Sequence, residues 1–126
     1  MSSPTNCRYS ESHEWFRLEG DVVTMGITPH AAAELTDVTY VELRPAGTNL
    51  SAGDAVGEVE SVKTTSDVFS VVAGEIVEVN DQAVQDPALL NNDPQGEGWL
   101  VKVKAEDAGP LDALMDAAAY DEKYPQ

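Results

Sequence analysis

An internal repeat constrains the fold of this chain more than any other feature of its sequence. Residues 57–63 read GEVESVK and residues 74–80 read GEIVEVN, so a glycine, a glutamate, an aliphatic side chain and a valine recur at matching places. Self-similar segments of this kind arise when two copies of one supersecondary unit pack together. The repeat predicts a quasi-twofold β sandwich in which Lys63 and Asn80 occupy equivalent hairpin tips, and only Lys63 carries an amine.

The remaining sequence also favours strands, because valine-rich segments alternate with Gly, Pro, Asn and Asp. The pair Gly20 and Asp21 predicts a tight hairpin turn ahead of a strand at residues 22–27. Val101 and Val103 alternate with two lysines, which predicts a late strand with one buried face and one wet face.

Helical signals are few. Thr28 followed by Pro29 predicts a helix start, with threonine as the cap and proline at the first helical position. Pro110 opens a second helix, predicted over about residues 110–119, whose amphipathic stripe is expected to pack on the sheet. The stripe has the spacing i, i+3, i+4 and i+7: Leu111, Leu114, Met115 and Ala118.

The length of 126 residues predicts a single domain spanning residues 1–126, with residues 1–8 as a flexible N-terminal segment. No stretch approaches the roughly 20 apolar residues that span a bilayer, and the N-terminus resembles neither a signal peptide nor a transit peptide. We therefore expect a cytoplasmic protein, with a mature mitochondrial form as the alternative. Cys7 is the one cysteine, so no intrachain disulfide is expected.

The net charge of −16, from 7 basic and 23 acidic residues, would be repelled by nucleic-acid phosphates and by anionic membranes. No nucleic-acid or membrane partner is expected. The acidity suits docking onto basic protein surfaces, and the alternative is that it serves solubility alone.

Lys63 lies within residues 57–69, a segment whose pattern predicts strand, turn and strand. A lysine at such a tip projects its amine into water, where an enzyme can join it to a carboxylic-acid cofactor. A surface lysine without function is the simplest alternative. A Schiff-base enzyme is another, but that chemistry requires a desolvated amine, whereas neighbouring Glu60 and Asp67 favour the charged form.

Residues 60–63 (ESVK), with Ser66 and Asp67, resemble the lipoylation site of the glycine cleavage system H-protein family. The resemblance extends from about Tyr9 to about Tyr120. Its further segments are residues 9–15 (YSESHEW), 26–28 (GIT), 41–43 (VEL), 74–80 (GEIVEVN), 92–94 (NDP) and 96–99 (GEGW).

The sequence departs from the family pattern at three positions. Thr36 stands where a glycine is expected, Val71 where a proline is usual, and Gln95 where an aromatic residue is usual. These departures concern local surface detail.

The resemblance implies a barrel-sandwich hybrid of the lipoyl and biotinyl type, with lipoate covalently attached to Lys63. It implies a non-catalytic, monomeric carrier that takes an aminomethyl group from a pyridoxal-phosphate glycine decarboxylase to a tetrahydrofolate-dependent aminomethyltransferase. A flavin (FAD) dihydrolipoyl dehydrogenase then reoxidises the arm, and lipoate-attaching enzymes install it. By the same resemblance, Ser12, Glu14 and Asp67 contact the loaded arm.

Alternatives remain for the function and for these residues. A related lipoyl relay, passing lipoyl groups to other carriers or serving another one-carbon pathway, and an unmodified acidic interaction module are both compatible with the pattern. Ser12 is equally suited to capping a turn and Asp67 to organising the hairpin backbone, and the sequence leaves open which face of its strand Glu14 occupies. His13 and His30 are not at a ligand spacing, so no metal site is expected.

Overall fold

The structure is a computed structural model that describes residues 4–124. Within that range the chain forms nine strands, four short α-helices and a 3-10 helix. The strands are β1 (Arg8–Tyr9), β2 (Glu14–Glu19), β3 (Val22–Ile27), β4 (Val38–Leu43), β5 (Asn49–Leu50), β6 (Ala55–Ser61), β7 (Thr65–Phe69), β8 (Gly74–Val79) and β9 (Val101–Ala105). The helices are α1 (Pro29–Leu35), α2 (Asp81–Gln85), α3 (Leu89–Asn92), the 3-10 helix (Gly109–Ala113) and α4 (Ala117–Lys123). The prediction of a mainly β chain with short helices is confirmed.

The strands form two antiparallel sheets. The larger sheet has the order β1-β2-β3-β9-β8-β5, and the smaller has the order β4-β6-β7. Apolar side chains from both sheets meet in one core, among them Val23, Val103 and Ile76 of the larger sheet and Val59 and Val68 of the smaller. Burial of this shared valine-rich face is what holds the two sheets together.

A second cluster of buried side chains lies outside the main core and involves the two chain ends. Its members are Cys7, Tyr9, Trp15, Ala117 and Tyr120. The indole of Trp15 is fully buried and donates a hydrogen bond to the carbonyl oxygen of Pro94 at 2.9 Å. The polar N–H group of this largely apolar side chain therefore has a hydrogen-bond partner.

Close contacts between strands explain the glycine that recurs in the repeat. A Cβ placed on Gly57 would strike the carbonyl oxygen of Glu42 on β4, and one placed on Gly74 would strike the carbonyl oxygen of Lys104 on β9. Both glycines are therefore required by the close approach of a neighbouring strand.

The predicted equivalence of the two repeat ends is wrong. Asn80 is not at a hairpin tip, because its side chain accepts a hydrogen bond from the backbone N–H of Gln82 and caps α2. Its amide also donates to the carbonyl oxygens of Glu97 and Trp99. Because its side chain forms hydrogen bonds both to the start of α2 and to the loop before β9, Asn80 is buried rather than exposed.

The early part of the chain follows its prediction. Glu19 pairs with Val22, so Gly20 and Asp21 form a two-residue turn in which Gly20 has a φ of 66°. The Thr28 side chain accepts a hydrogen bond from the backbone N–H of Ala31 and caps α1, as expected from its position before a proline.

The predicted helix over residues 110–119 is wrong. A 3-10 helix ends at Ala113, Leu114 is extended, and the backbone of Met115 exchanges two hydrogen bonds with Tyr9 of β1. Pairing with β1 thus interrupts the helix, and Asp116 starts α4 afresh by capping it. Ala118, the last residue of the predicted stripe, is exposed.

The prediction of a flexible segment at residues 1–8 is wrong for its inner part, and residues 1–3 lie outside the described range. Cys7 is only 4% exposed. Arg8 belongs to β1, and its guanidinium donates to the carbonyl oxygen of Leu114 at 3.3 Å. In residues 4–124 no helix has the length and apolar character needed to cross a bilayer.

Candidate functional site

The turn between β6 and β7 consists of Val62, Lys63 and Thr64, and Ser61 fastens it. The Ser61 hydroxyl accepts hydrogen bonds from the backbone N–H groups of Lys63 and Thr64, both at 3.1 Å. The backbone N–H of Ser61 also donates to the carbonyl oxygen of Thr64 at 2.8 Å. These bonds leave little freedom in the turn, so the Lys63 side chain, which is exposed, projects from a defined backbone.

The strand that supports this turn is held on both sides. β6 pairs with β4 along one edge and with β7 along the other, and its Val59 is fully buried. The backbone N–H of Val62 donates to the carbonyl oxygen of Asp37 at 3.2 Å. The lysine is thus mounted on the central strand of the smaller sheet rather than on a free loop.

A cavity of about 330 Å³ lies beside the turn. It brings together all four residues that the sequence predicted for the site, Lys63, Ser12, Glu14 and Asp67. Apolar side chains complete much of its wall, namely Ile27, Ala31, Leu35, Val59 and Val68.

Glu14 provides the buried polar group of this cavity. It is 2% exposed, and its Oε1 accepts hydrogen bonds from the hydroxyls of Ser10 and Ser12, each at 2.5 Å. Its Oε2 accepts a hydrogen bond from the backbone N–H of Phe69 at 3.0 Å. Since every one of these partners is a donor, the arrangement is suited to a carboxylate, which can only accept.

The face of β2 that Glu14 occupies is now defined, because its side chain points inward. Ser12 contributes a donor to that carboxylate and lines the cavity itself. Asp67 lies at the exposed rim, where it faces Glu58 across the β6–β7 pair. Within residues 4–124 the Asp67 carboxylate has no hydrogen bond to the hairpin backbone, so the structure gives no support to its alternative backbone role.

Two histidines for which the sequence predicted no metal site, His13 and His30, lie together against Glu34. The His30 Nε2 is 3.2 Å from Glu34 Oε1, and the His13 Nε2 is 3.8 Å from the same oxygen. The two imidazole rings are 4.3 Å apart between centroids. Burial lowers the pKa of His13 below its usual value, His30 lowers it further, and Glu34 opposes the shift.

The sequence held part of the signal for this cluster. His30 and Glu34 are four residues apart after a recognised helix start, so they fall on one face of α1. His13 reaches them from the turn before β2 with a φ of 68°, which no local sequence pattern reveals.

The departure at Thr36 has a structural consequence. Thr36 ends α1 with φ 64° and ψ −134°, a conformation that suits glycine and strains a β-branched residue. Its carbonyl oxygen accepts a hydrogen bond from the Asn91 side chain at 2.5 Å, and the Asn91 amide oxygen accepts one from the backbone N–H of Val38. These contacts hold Thr36 in a backbone conformation that glycine adopts readily and threonine disfavours.

The other two departures are accommodated without strain. The Gln95 side chain donates to the Tyr9 hydroxyl at 3.1 Å, which in turn donates to the carbonyl oxygen of Pro4. Val71 packs against the main core.

Comparison with known proteins gives a consistent result along the chain. The family profile described as "Glycine cleavage H-protein" matches residues 7–126. A glycine cleavage system H protein of Bacteroides fragilis is 48% identical over 120 residues, which are 95% of each chain. A mitochondrial glycine cleavage system H protein of Oryza sativa subsp. indica is 50% identical over 113 residues, covering 90% of this chain and 69% of the rice protein.

The fold is likewise similar to that of a solved structure. The crystal structure of a glycine cleavage system H protein from Mycobacterium marinum matches with a TM-score of 0.89 and 38% identity, covering 98% of this chain and all of that one. Two sheets that pack face to face without closing agree with the expected barrel-sandwich type.

Proposed function

Because the chain belongs to the glycine cleavage H-protein family, we propose that it acts as the lipoyl carrier of a glycine cleavage system, with lipoate joined to Lys63. The lipoyl group would supply a dithiolane that receives the aminomethyl group of glycine and is afterwards reoxidised. The protein itself is a non-catalytic subunit. The observation that carries this proposal is the exposed Lys63 amine on a fastened turn, next to a cavity that contains a buried carboxylate.

The residues fit the attachment of such a group. An enzyme that forms an amide at Lys63 needs an accessible amine on a defined backbone, and the Ser61 hydrogen bonds provide that backbone. Acylation removes the lysine charge, which suits an arm that must lie along a cavity with largely apolar walls. The stiff base keeps the arm within reach of each partner, which raises its effective concentration there.

The cavity offers a place for a loaded, positively charged amine. Glu14 would accept a hydrogen bond from an ammonium group, because charge-assisted bonds to a buried carboxylate are strong. Ser12 fixes that carboxylate, and Asp67 adds a second acidic group at the rim. The apolar wall would limit access of water to the bound group.

The partners follow from the family. We propose that the arm is loaded by a pyridoxal-phosphate glycine decarboxylase, unloaded by a tetrahydrofolate-dependent aminomethyltransferase, and reoxidised by an FAD-containing dihydrolipoyl dehydrogenase, after lipoate-attaching enzymes have installed it. The net charge of −16 favours rapid, salt-sensitive encounters with basic surfaces on such partners. A monomer suits sequential docking, since a permanent interface would compete with each partner.

Intact-mass measurement tests the attachment site. The chain is incubated with a lipoate ligase, lipoate and ATP, and one lipoyl group per chain is expected. Lys63→Arg should abolish the added mass, while Lys104→Arg, an exposed lysine on β9, should leave it unchanged. Added mass that survives Lys63→Arg would refute the assignment.

Loading then tests the carrier role. The lipoylated protein, incubated with glycine and the decarboxylase, should gain an aminomethyl group and support release of carbon dioxide. A lipoylated protein that is never loaded would instead favour a lipoyl relay.

A further inference from the structure

Three side chains that the carrier chemistry does not use converge beside the cavity. His13 comes from the turn before β2, whereas His30 and Glu34 are one turn apart on α1. Among the described residues these three form a group whose ligand atoms all lie within 4.8 Å of one another. Glu34 Oε1 faces the Nε2 atoms of both histidines.

The orientation of His13 is fixed by a hydrogen-bond chain behind it. Its Nδ1 is 2.9 Å from the Tyr120 hydroxyl, which is 2.8 Å from the hydroxyl of Thr28. A hydrogen-bond partner on one ring nitrogen of a histidine sets the tautomer and leaves the other nitrogen free to bind a metal. If Nδ1 donates to Tyr120, Nε2 presents its lone pair toward Glu34.

We infer that His13, His30 and Glu34 form a binding site for a divalent transition-metal ion of the zinc class. Two imidazole nitrogens and one carboxylate are a common ligand set for zinc and disfavour calcium and magnesium, which take oxygen ligands. Ligand atoms bound to one tetrahedral zinc ion lie roughly 3.4 Å apart. The two nitrogen-to-oxygen separations, 3.2 and 3.8 Å, bracket that value, and the two histidine nitrogens lie within 4.8 Å of each other.

The position of the site gives it an open side. Side-chain exposures are 17% for His13, 27% for His30 and 64% for Glu34, so an ion can enter from solvent. His13 and Glu34 also line the cavity beside Lys63. Three protein ligands leave the fourth coordination position of a tetrahedral zinc ion vacant. A water molecule, or a thiolate that enters the cavity from outside, is chemically suited to fill this position.

A titration of the unlipoylated, chelator-treated protein with Zn²⁺ tests this inference without depending on the carrier role. Calorimetry at about 0.15 M salt limits diffuse attraction to the acidic surface, and one ion per chain is expected. Glu34→Gln and His30→Gln should each weaken binding by at least about tenfold. Glu75→Gln removes the same charge as Glu34→Gln from an exposed position on β8, and it should leave the affinity unchanged.

Two further measurements distinguish zinc binding at this three-residue cluster from zinc binding elsewhere on the protein. The ring nitrogen signals of His13 and His30 should shift together on zinc addition in long-range nitrogen–proton spectra. Tyr120→Phe, which removes the partner of His13 Nδ1, should weaken binding by about tenfold provided that its unfolding curve shows it to be folded.

Several outcomes would overturn the inference. Equal weakening by Glu75→Gln and Glu34→Gln would mean diffuse electrostatic attraction, and binding lost only in Cys7→Ser would place the ion on the thiol. The mass measurement on Lys63 is independent of these results, so failure here would leave the carrier proposal intact.

Discussion

The carboxylate of Glu14 accepts a hydrogen bond from the backbone N–H of Phe69 at 3.0 Å. Glu14 begins β2 of the larger sheet and Phe69 ends β7 of the smaller one. A single buried acid therefore joins the two sheets on the wall of the cavity beside Lys63, and it serves both the fold and the proposed site.

Glu14→Gln should separate these two roles. The substitution keeps the side-chain volume but turns one acceptor into a donor among the donors from Ser10, Ser12 and Phe69, which should lower the free energy of unfolding by about 1–3 kcal/mol. Lipoylation of Lys63 should be unaffected, whereas the aminomethyl group should be lost from the loaded arm about tenfold faster. Denaturant unfolding and the decay of the loaded mass measure the two effects.

Ser12→Ala provides the matched control for Glu14, since it removes one donor and leaves the carboxylate and its other two donors in place. A smaller change in both measurements is expected. Loaded arms of equal lifetime in Glu14→Gln and the unsubstituted protein would exclude the ammonium-binding role.

Ser61→Ala should loosen the turn that carries Lys63. The hydroxyl accepts two backbone hydrogen bonds, so its loss should cost about 1 kcal/mol and raise the amide exchange rates of Lys63 and Thr64. Lipoylation should slow, because the ligase meets a less ordered turn. Ser51→Ala, at an exposed serine outside the lipoylation motif, is the control; equal exchange rates in the two variants would show that Ser61 does not order the turn.

Local patterns predicted the parts of the fold that depend on neighbouring residues. The turn at Gly20 and the cap at Thr28 are encoded within a few positions, and both are confirmed. The interrupted C-terminal helix was missed because its cause is the pairing of Met115 with Tyr9, more than a hundred positions away. Periodicity reports which residues suit a helix, but it does not report a distant strand that competes for the same backbone groups.

The candidate site likewise combines features that local sequence predicts with features that depend on distant segments. Lys63 and its turn could be predicted from a short segment, while the roles of Ser12, Glu14 and Asp67 came only from family resemblance. The inward face of Glu14 depends on donors from two separate segments, the turn before β2 and the end of β7. The histidine cluster depends on the backbone at His13, whose positive φ has no signature in the sequence.

Thr36→Gly should stabilise the protein. The φ of 64° and ψ of −134° at this residue cost a β-branched side chain about 1–3 kcal/mol, and the larger entropy of glycine in the unfolded chain offsets part of the gain. A net increase of about 1 kcal/mol in the free energy of unfolding is expected from urea denaturation. Thr39→Gly, at an exposed residue of β4 without a positive φ, should instead destabilise by about 1 kcal/mol; a loss of stability in both variants would contradict the strain at Thr36.

The pH dependence of stability should report the environment of His13. Its ring is packed against His30, Tyr120 and Tyr124 and faces Glu34. Burial, and after it repulsion from His30, lowers the pKa of His13 below its usual value of 6.5. As the pH falls through 6.5, the unfolded chain therefore takes up a proton at this residue before the folded chain does, and stability is lost until the lower folded pKa is reached.

His13→Asn removes that titration and retains a residue that tolerates a positive φ. With a chelator present, urea midpoints measured from about pH 7.5 to about pH 5.5 should fall more steeply for the unsubstituted protein than for His13→Asn. This range lies above the titration of ordinary carboxyl groups, so the difference between the two curves reports His13 together with its coupling to His30. A difference that is constant across the range, or that grows in the opposite direction, would show that folding does not lower the pKa of this histidine.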